Sequence, residues 1–198
     1  MTKTIDYYFA LKSPWSYLGD ARLRTIAAEH RAAINHKPFR IGEVFSMSGG
    51  LPLAKRALQR QAYRMLELQR WCKKLGVNLT LEPKFFPASN DLSARVVIAA
   101  QKTGADVGPM VHAIMRATWA EEKNQADPET LKAIADGLGH NGGDLLDQAD
   151  TADVQAIYAR YTEEAKEFGV FGAPSYVVGG ELFWGQDRLD FVADKLAE

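Results

Sequence analysis

Strand-like segments occupy only the two ends of this 198-residue chain, and nearly everything between them is patterned as helix. That arrangement restricts the fold more than any single motif does. At the first end "TIDYYFA", residues 4–10, is β-branched and aromatic and predicts a strand. A helix is predicted from about Pro14 to Arg31, where Leu18, Leu23, Ile26 and Ala27 recur at helical spacing. "INHKPFRI", 34–41, predicts a second strand, with Pro38 marking an edge or an end. A strand-helix-strand unit of this length normally gives two parallel strands with a right-handed connection. Residues 42–53, "GEVFSMSGGLPL", carry turn chemistry and predict a loop. A long helix is predicted over 54–75, stopped by Gly76, and a short extended piece, "VNLTLEPKFFP", follows it. Further helices are predicted over 91–103, 107–122, 128–138, 143–148 and 151–168, with Asp127-Pro128-Glu129 as a start signal. Strands return only in "PSYVVGGELFWG", 174–185, which alternates around Gly179-Gly180 like a hairpin with a two-residue turn. A last helix, Asp187 to Leu196, offers Leu189, Phe191, Val192 and Leu196 to a core.

The order is β-α-β, a helical block, then β-β-α. It predicts an α/β, thioredoxin-like fold with an all-helical domain inserted after the second strand. Residues 1–45 and 166–198 would form the thioredoxin-like part and 46–165 the insertion. Hydrophobic residues at 46% and charged residues at 25% are ordinary for a soluble globular chain. A formal net charge of −1 gives no case for nucleic acid or an anionic membrane as partner. Apolar runs such as "ARVVIAA" are too short to span a bilayer. "MTKTIDYYFA" lacks the apolar centre and cleavage site of a signal peptide, so a cytoplasmic location is expected. Cys72 is the single cysteine, which leaves no intrachain disulfide and no Cys-x-x-Cys redox pair. The four histidines are scattered without ligand spacing, and no metal site is expected.

Three stretches carry candidate chemistry. In "KSPWSYL" Ser13 caps a helix and Pro14 suits its first turn, which needs no function. The same place, a strand-to-helix turn, also puts a hydroxyl at a positive helix end, where it would donate to a bound thiolate and lower that thiol's pKa. Ser13 lacks a nucleophile elbow and an adjacent base, so a nucleophilic role is not expected. In "GVFGAPSYVV" the Ala173-Pro174 bond opens a strand. It reads either as an ordinary trans start or as a cis bond whose preceding residue pairs with an extended thiol ligand. In "WGQDRLDFV" Asp187 is either a helix cap or the partner of a ligand ammonium. The basic residues of the long helix read mostly as a solvated face, though Lys55 and Arg56 follow a Gly-rich loop and would reach an anionic substrate. Cys72 reads as a structural or exposed thiol, and Trp119 and Tyr63 are expected to pack among the inserted helices.

Taken in order, "FALKSPWSYL", "AYRMLELQRW", "FGAP" and "WGQDRLDFV" resemble the 2-hydroxychromene-2-carboxylate isomerase family over nearly the whole chain. That family is similar to kappa-class glutathione transferases and, more distantly, to DsbA-like disulfide-forming oxidoreductases with a helical insertion. The resemblance implies that Ser13 stands where the oxidoreductases carry a catalytic cysteine, the thiol being supplied as glutathione. It implies that Ser13 hydrogen-bonds the glutathione sulfur and that Ala173, before Pro174, pairs with the tripeptide backbone. Trp184, Gly185, Gln186 and Asp187 would hold the γ-glutamyl end. The implied reaction is cis–trans isomerisation of an aromatic hydroxy-acid, with Trp15, Lys55, Arg56 and Phe86 on the substrate and a homodimer as the assembly. A kappa-like transferase or peroxidase shares the same site. A noncatalytic thiol-peptide binding module is the alternative from another class. Gly49-Gly50 departs from the Gly-Asn common in relatives, which removes one polar ligand contact.

Overall fold

In the computed structural model, which describes residues 3–198, four strands form one mixed sheet of order β2-β1-β3-β4. β1 (Thr4–Phe9) runs parallel to β2 (Ala33–Pro38) and antiparallel to β3 (Ser175–Val178), which pairs in turn with β4 (Glu181–Trp184). The first two strands are joined by α1 (Pro14–Glu29). The hairpin turn is Gly179-Gly180, both with positive φ (57° and 82°), as a two-residue turn of this twist requires. α2 (Ile41–Ser48), α3 (Leu58–Leu75), α4 (Asp91–Lys102), α5 (Gly108–Trp119), α6 (Pro128–Gly137), α7 (Gly142–Ala149) and α8 (Ala152–Glu167) follow β2, and α9 (Leu189–Ala197) closes the chain. The expected α/β order is thus present. α2 crosses the expected boundary at 45/46, and α8 runs two residues past 165.

The period of two in the strands sorts side chains onto two faces. Ile5, Tyr7 and Phe9 of β1, with Tyr176 and Val178 of β3, pack on α1, α4, α5 and α9 in one continuous core that reaches Trp119 and Tyr158. Tyr8, Ala10 and Val177 face the other way and pack with Phe39, Val44, Ala165, Val170 and Ala173. Ala173 therefore sits on the sheet's second core, which makes the turn before β3 a rigid platform.

Four expectations need correction, the first being the long helix, which begins at Leu58 rather than 54 after a separate 3₁₀ turn at Leu53–Lys55. Residues 42–53 do not form a loop throughout, because α2 occupies Ile41–Ser48 and only then stops at Gly49, with φ 72°. Tertiary contact decides this. Val44 is buried in the second core, and Glu43 pairs with Lys166 of α8 at 2.9 Å. Phe191 is 57% exposed, so Leu189, Val192 and Leu196 alone form the buried side of α9. Tyr63 is 56% exposed, whereas Trp119 is fully buried as expected. The Asp127 cap is formed, its carboxylate accepting from Thr130 N at 3.1 Å.

Candidate active site

The turn between β1 and α1 is built by short-range chemistry. Ser13 N donates to Ala10 O at 2.8 Å, Pro14 takes the first helical position, and Ser13 is the cap with extended backbone (φ −84°, ψ 122°). Its Oγ accepts from Ser16 N at 3.3 Å and donates to Ala173 O, also at 3.3 Å. Both bonds are long for a hydroxyl, so neither commits it strongly. The first turn of α1 carries no acidic side chain, which leaves its positive end uncompensated by its own sequence.

Ala173 reaches Ser13 because the sheet brings residues 160 positions apart together, and the Ala173-Pro174 bond is cis. Around it the loop is tied down. Ser175 Oγ donates to Gly172 O at 2.9 Å, and Gly185 N donates to Pro174 O at 2.9 Å. Gly172 leaves no room for a side chain, since a Cβ there would lie 2.2 Å from Trp184 Nε1. Trp184 stands half-exposed across this glycine, tilted against Phe171 with ring centroids 4.7 Å apart. Gly185 has φ 104°, and a Cβ there would lie 2.4 Å from Asp187 Oδ1, so the run from Trp184 to Asp187 depends on glycine twice over. Gln186 is buried against Gly19 of α1, and its Oε1 has no protein partner. Asp187 does not cap α9: residues Gln186–Arg188 form a 3₁₀ turn, and the Asp187 carboxylate is held by Arg188 Nη1 at 2.6 Å.

A cleft of about 520 Å³ lies between α3 and residues 184–188. Of the expected residues, Trp15, Arg56, Ala173, Trp184, Gly185, Gln186 and Asp187 line it. Ser13 is nearly buried just behind the Ala173 carbonyl, and Pro174 follows it. Lys55 and Phe86 are not in the lining. Lys55 is exposed in a 3₁₀ turn, Leu53–Lys55, and Phe86 packs on Trp119 at 4.9 Å between ring centroids. Gln59, Arg60, Tyr63, Arg64, Glu67, Trp71 and Arg188 complete the wall, none of them expected there. Their signal was periodic. Residues 60, 64, 67 and 71 follow a 4-3-4 spacing on one face of α3, a helix in which only Leu68 is buried. Four arginines in the lining face two carboxylates, Glu67 and Asp187, so the cleft is basic in a chain of net charge −1. A second depression, about 470 Å³ along the outer edge of β2, contains none of the expected residues. Among the described residues, no group of three or more His, Cys, Asp or Glu is placed to hold a metal. Burial pushes the Cys72 thiol up, and it lies outside the cleft.

A four-stranded mixed sheet with a capped helix end, a cis-proline turn facing it and helices set between β2 and β3 defines the DsbA class of thioredoxin folds. Residues 4–197 match the DSBA-like thioredoxin domain family. The chain is 31% identical over 199 residues to 2-hydroxychromene-2-carboxylate isomerase of Sphingobium xenophagum, covering 100% of both chains. A solved structure of a 2-hydroxychromene-2-carboxylate isomerase superposes with a TM-score of 0.82 at 26% identity, over 98% of this chain and 94% of that one. Glutathione S-transferase kappa 2 of Caenorhabditis elegans is 24% identical over 99% of this chain and 92% of its own. The chain belongs to the DsbA-like thioredoxin family and, within it, to the 2-hydroxychromene-2-carboxylate isomerase family.

Proposed function

We propose that this chain is a glutathione-dependent cis–trans isomerase of aromatic hydroxy-acids of the 2-hydroxychromene-2-carboxylate type, serving aromatic catabolism in the cytoplasm. The observation that carries the reading is the Ser13 hydroxyl, held at a helix N-terminus beside the Ala173 carbonyl at the base of a basic, aromatic cleft. The chain's own residues fit a γ-glutamyl tripeptide. Ala173 offers backbone groups beside the helix end, and the glycines at 172 and 185 let the Trp184 ring and the Asp187 carboxylate sit in the cleft lining.

Bound glutathione would supply a thiolate nucleophile capable of reversible addition to the conjugated system of the acid. Ser13 Oγ, released from its 3.3 Å bond to Ala173 O, donates to the sulfur, and the positive end of α1 favours the anion. Asp187 faces the ligand ammonium once it yields its bond to Arg188. Trp15 and Trp71 offer flat apolar faces to an aromatic ring and keep water from it. Of the two cations expected near the substrate, the lining supports Arg56 over Lys55. Phe86 would act from behind the wall.

The kappa transferase relative supports the same thiol site and keeps a conjugating or peroxide-reducing activity as the second reading. The exposed Met47, Leu58 and Leu66, on α2 and α3, support the expected homodimer. The deciding experiment is isomerisation of 2-hydroxychromene-2-carboxylate with and without glutathione. Turnover that requires glutathione and leaves its amount unchanged is expected. Accumulation of a conjugate would make the protein a transferase, and glutathione-independent turnover or none would overturn the isomerase reading.

A further inference from the structure

Eight of the chain's twelve arginines lie within 4.0 Å of a carboxylate, as Arg22 does with Asp190 and Arg70 with Glu67. Of the four without such a partner among the described residues, three (Arg56, Arg60 and Arg64) line the same cleft. Both acids of that lining are already engaged, Glu67 by Arg70 at 2.6 Å and Asp187 by Arg188 at 2.6 Å. Arg60 is exposed to water, and Arg64 is the most buried of the three. It is half-buried, its guanidinium lies 5.6 Å from the centroid of Phe86, and its one side-chain partner is the Met65 sulfur at 3.7 Å. Arg56, by contrast, donates Nε to Leu51 O at 2.8 Å and lies over Phe45. Burial and then Arg56 push the Arg64 guanidinium below its ordinary pKa, and burial and then Arg60 do the same to Arg56. An unpaired, partly desolvated guanidinium is costly, and an anion that pairs with it relieves both burial and mutual repulsion. Phe86, packed at a tilt against Trp119, backs the guanidinium, so its planar fork stays aimed and little ordering is left for the ligand to impose.

We propose that Arg64, seated on Phe86, is the carboxylate-reading residue of the acceptor subsite, separate from the residues that hold glutathione. This rests on the reading of the cleft as a glutathione-and-acceptor site. It makes charge a selection rule: an aromatic acid is accepted, and the same skeleton carrying a neutral amide is rejected.

Cinnamate and cinnamamide, titrated calorimetrically into the protein with and without saturating glutathione, test it. The wild type is expected to prefer the acid. Arg64→Gln is expected to weaken cinnamate roughly 10- to 100-fold, the loss of a hydrogen bond to a charged partner. Cinnamamide and glutathione should change less than twofold. Arg64→Lys should retain part of the preference, since it keeps the charge and loses the fork. Circular dichroism of each variant checks folding, and Arg64→Lys decides if Arg64→Gln fails to fold. Equal binding of acid and amide by the wild type overturns the proposal. So does a loss of glutathione affinity matching that of cinnamate, which would assign Arg64 to the tripeptide's glycine carboxylate. A protein that binds cinnamate through Arg64 yet takes no glutathione would refute the cofactor assignment and leave this inference standing.

Discussion

Adding one methyl group at Gly172 tests the architecture of the site without touching any group that does chemistry. An alanine Cβ there would lie 2.2 Å from Trp184 Nε1, and ordinary contact begins near 3.4 Å, so the indole must retreat by about 1.2 Å. Gly172 is absent from the positive-φ glycines, so alanine adds no backbone strain and the clash falls on the side chain. Trp184 is 50% exposed and can swing outward, giving up its contact with Phe171. An aromatic pair of this kind contributes about 1 kcal/mol, which for a chain of this size lowers Tm by roughly 2–4 °C. The functional loss is expected to be sharper, because the same movement opens the wall beside Asp187. Glutathione should bind about tenfold more weakly, equivalent to ~1.4 kcal/mol. Calorimetry measures the affinity, and tryptophan emission reports whether the indole has moved. Gly137→Ala, whose Cβ meets nothing within 4 Å, is the matched control and should change neither. A shifted emission with unchanged glutathione affinity would refute the place of Trp184 in the site. Unchanged emission would refute the steric argument itself.

Two further outcomes follow from the geometry. Asp187→Ala should weaken glutathione by roughly tenfold with little effect on thermal stability, because Asp187 caps no helix and pairs only with its exposed neighbour Arg188. Calorimetry together with thermal denaturation checks both halves. The second concerns alkaline pH. Burial pushes the phenols of Tyr7, Tyr158 and Tyr176 up, Asp91 adding to the rise at Tyr158. The folded state therefore holds protons that the unfolded chain releases near the ordinary tyrosine value of about 10. These phenols leave stability unchanged below pH ~10 and lower it as pH rises beyond that. A tyrosinate absorbance titration should ionise only part of the seven tyrosines before the protein unfolds.

The fold was legible where local chemistry and tertiary packing agree. Gly76 and Gly179-Gly180 have positive φ, and Ser13 and Asp127 cap their helices, so their sequence signals carried through to structure. The Ser and Gly residues of Ile41–Ser48 look like a loop, while the burial of Val44 and the ion pair of Glu43 with Lys166 are visible only once α8 is in place. At the site, the two chain ends signalled themselves through Ser13, Ala173-Pro174 and Trp184 to Asp187. The wall from α3 signals itself only through its 4-3-4 spacing, which does not say what it faces. Arg60 and Arg64 read as part of a solvated face, and only the opposing 184–188 run turns that face into a cleft. Phe86, which the resemblance implies on the substrate, instead supports Arg64 from the core side.

The central claim is that Ser13 ionises a thiol the chain does not own. Titrating the thiolate absorbance of bound glutathione, in the wild type and in Ser13→Ala, tests it most directly. The variant loses a cap with two 3.3 Å hydrogen bonds, so about 1 kcal/mol of stability should go with it. The account predicts a bound thiol well below its free value in the wild type. It predicts a rise of about one pKa unit in the variant, or ~1.4 kcal/mol of lost thiolate stabilisation, with glutathione affinity at low pH nearly unchanged. The same thiol pKa in both proteins would contradict it.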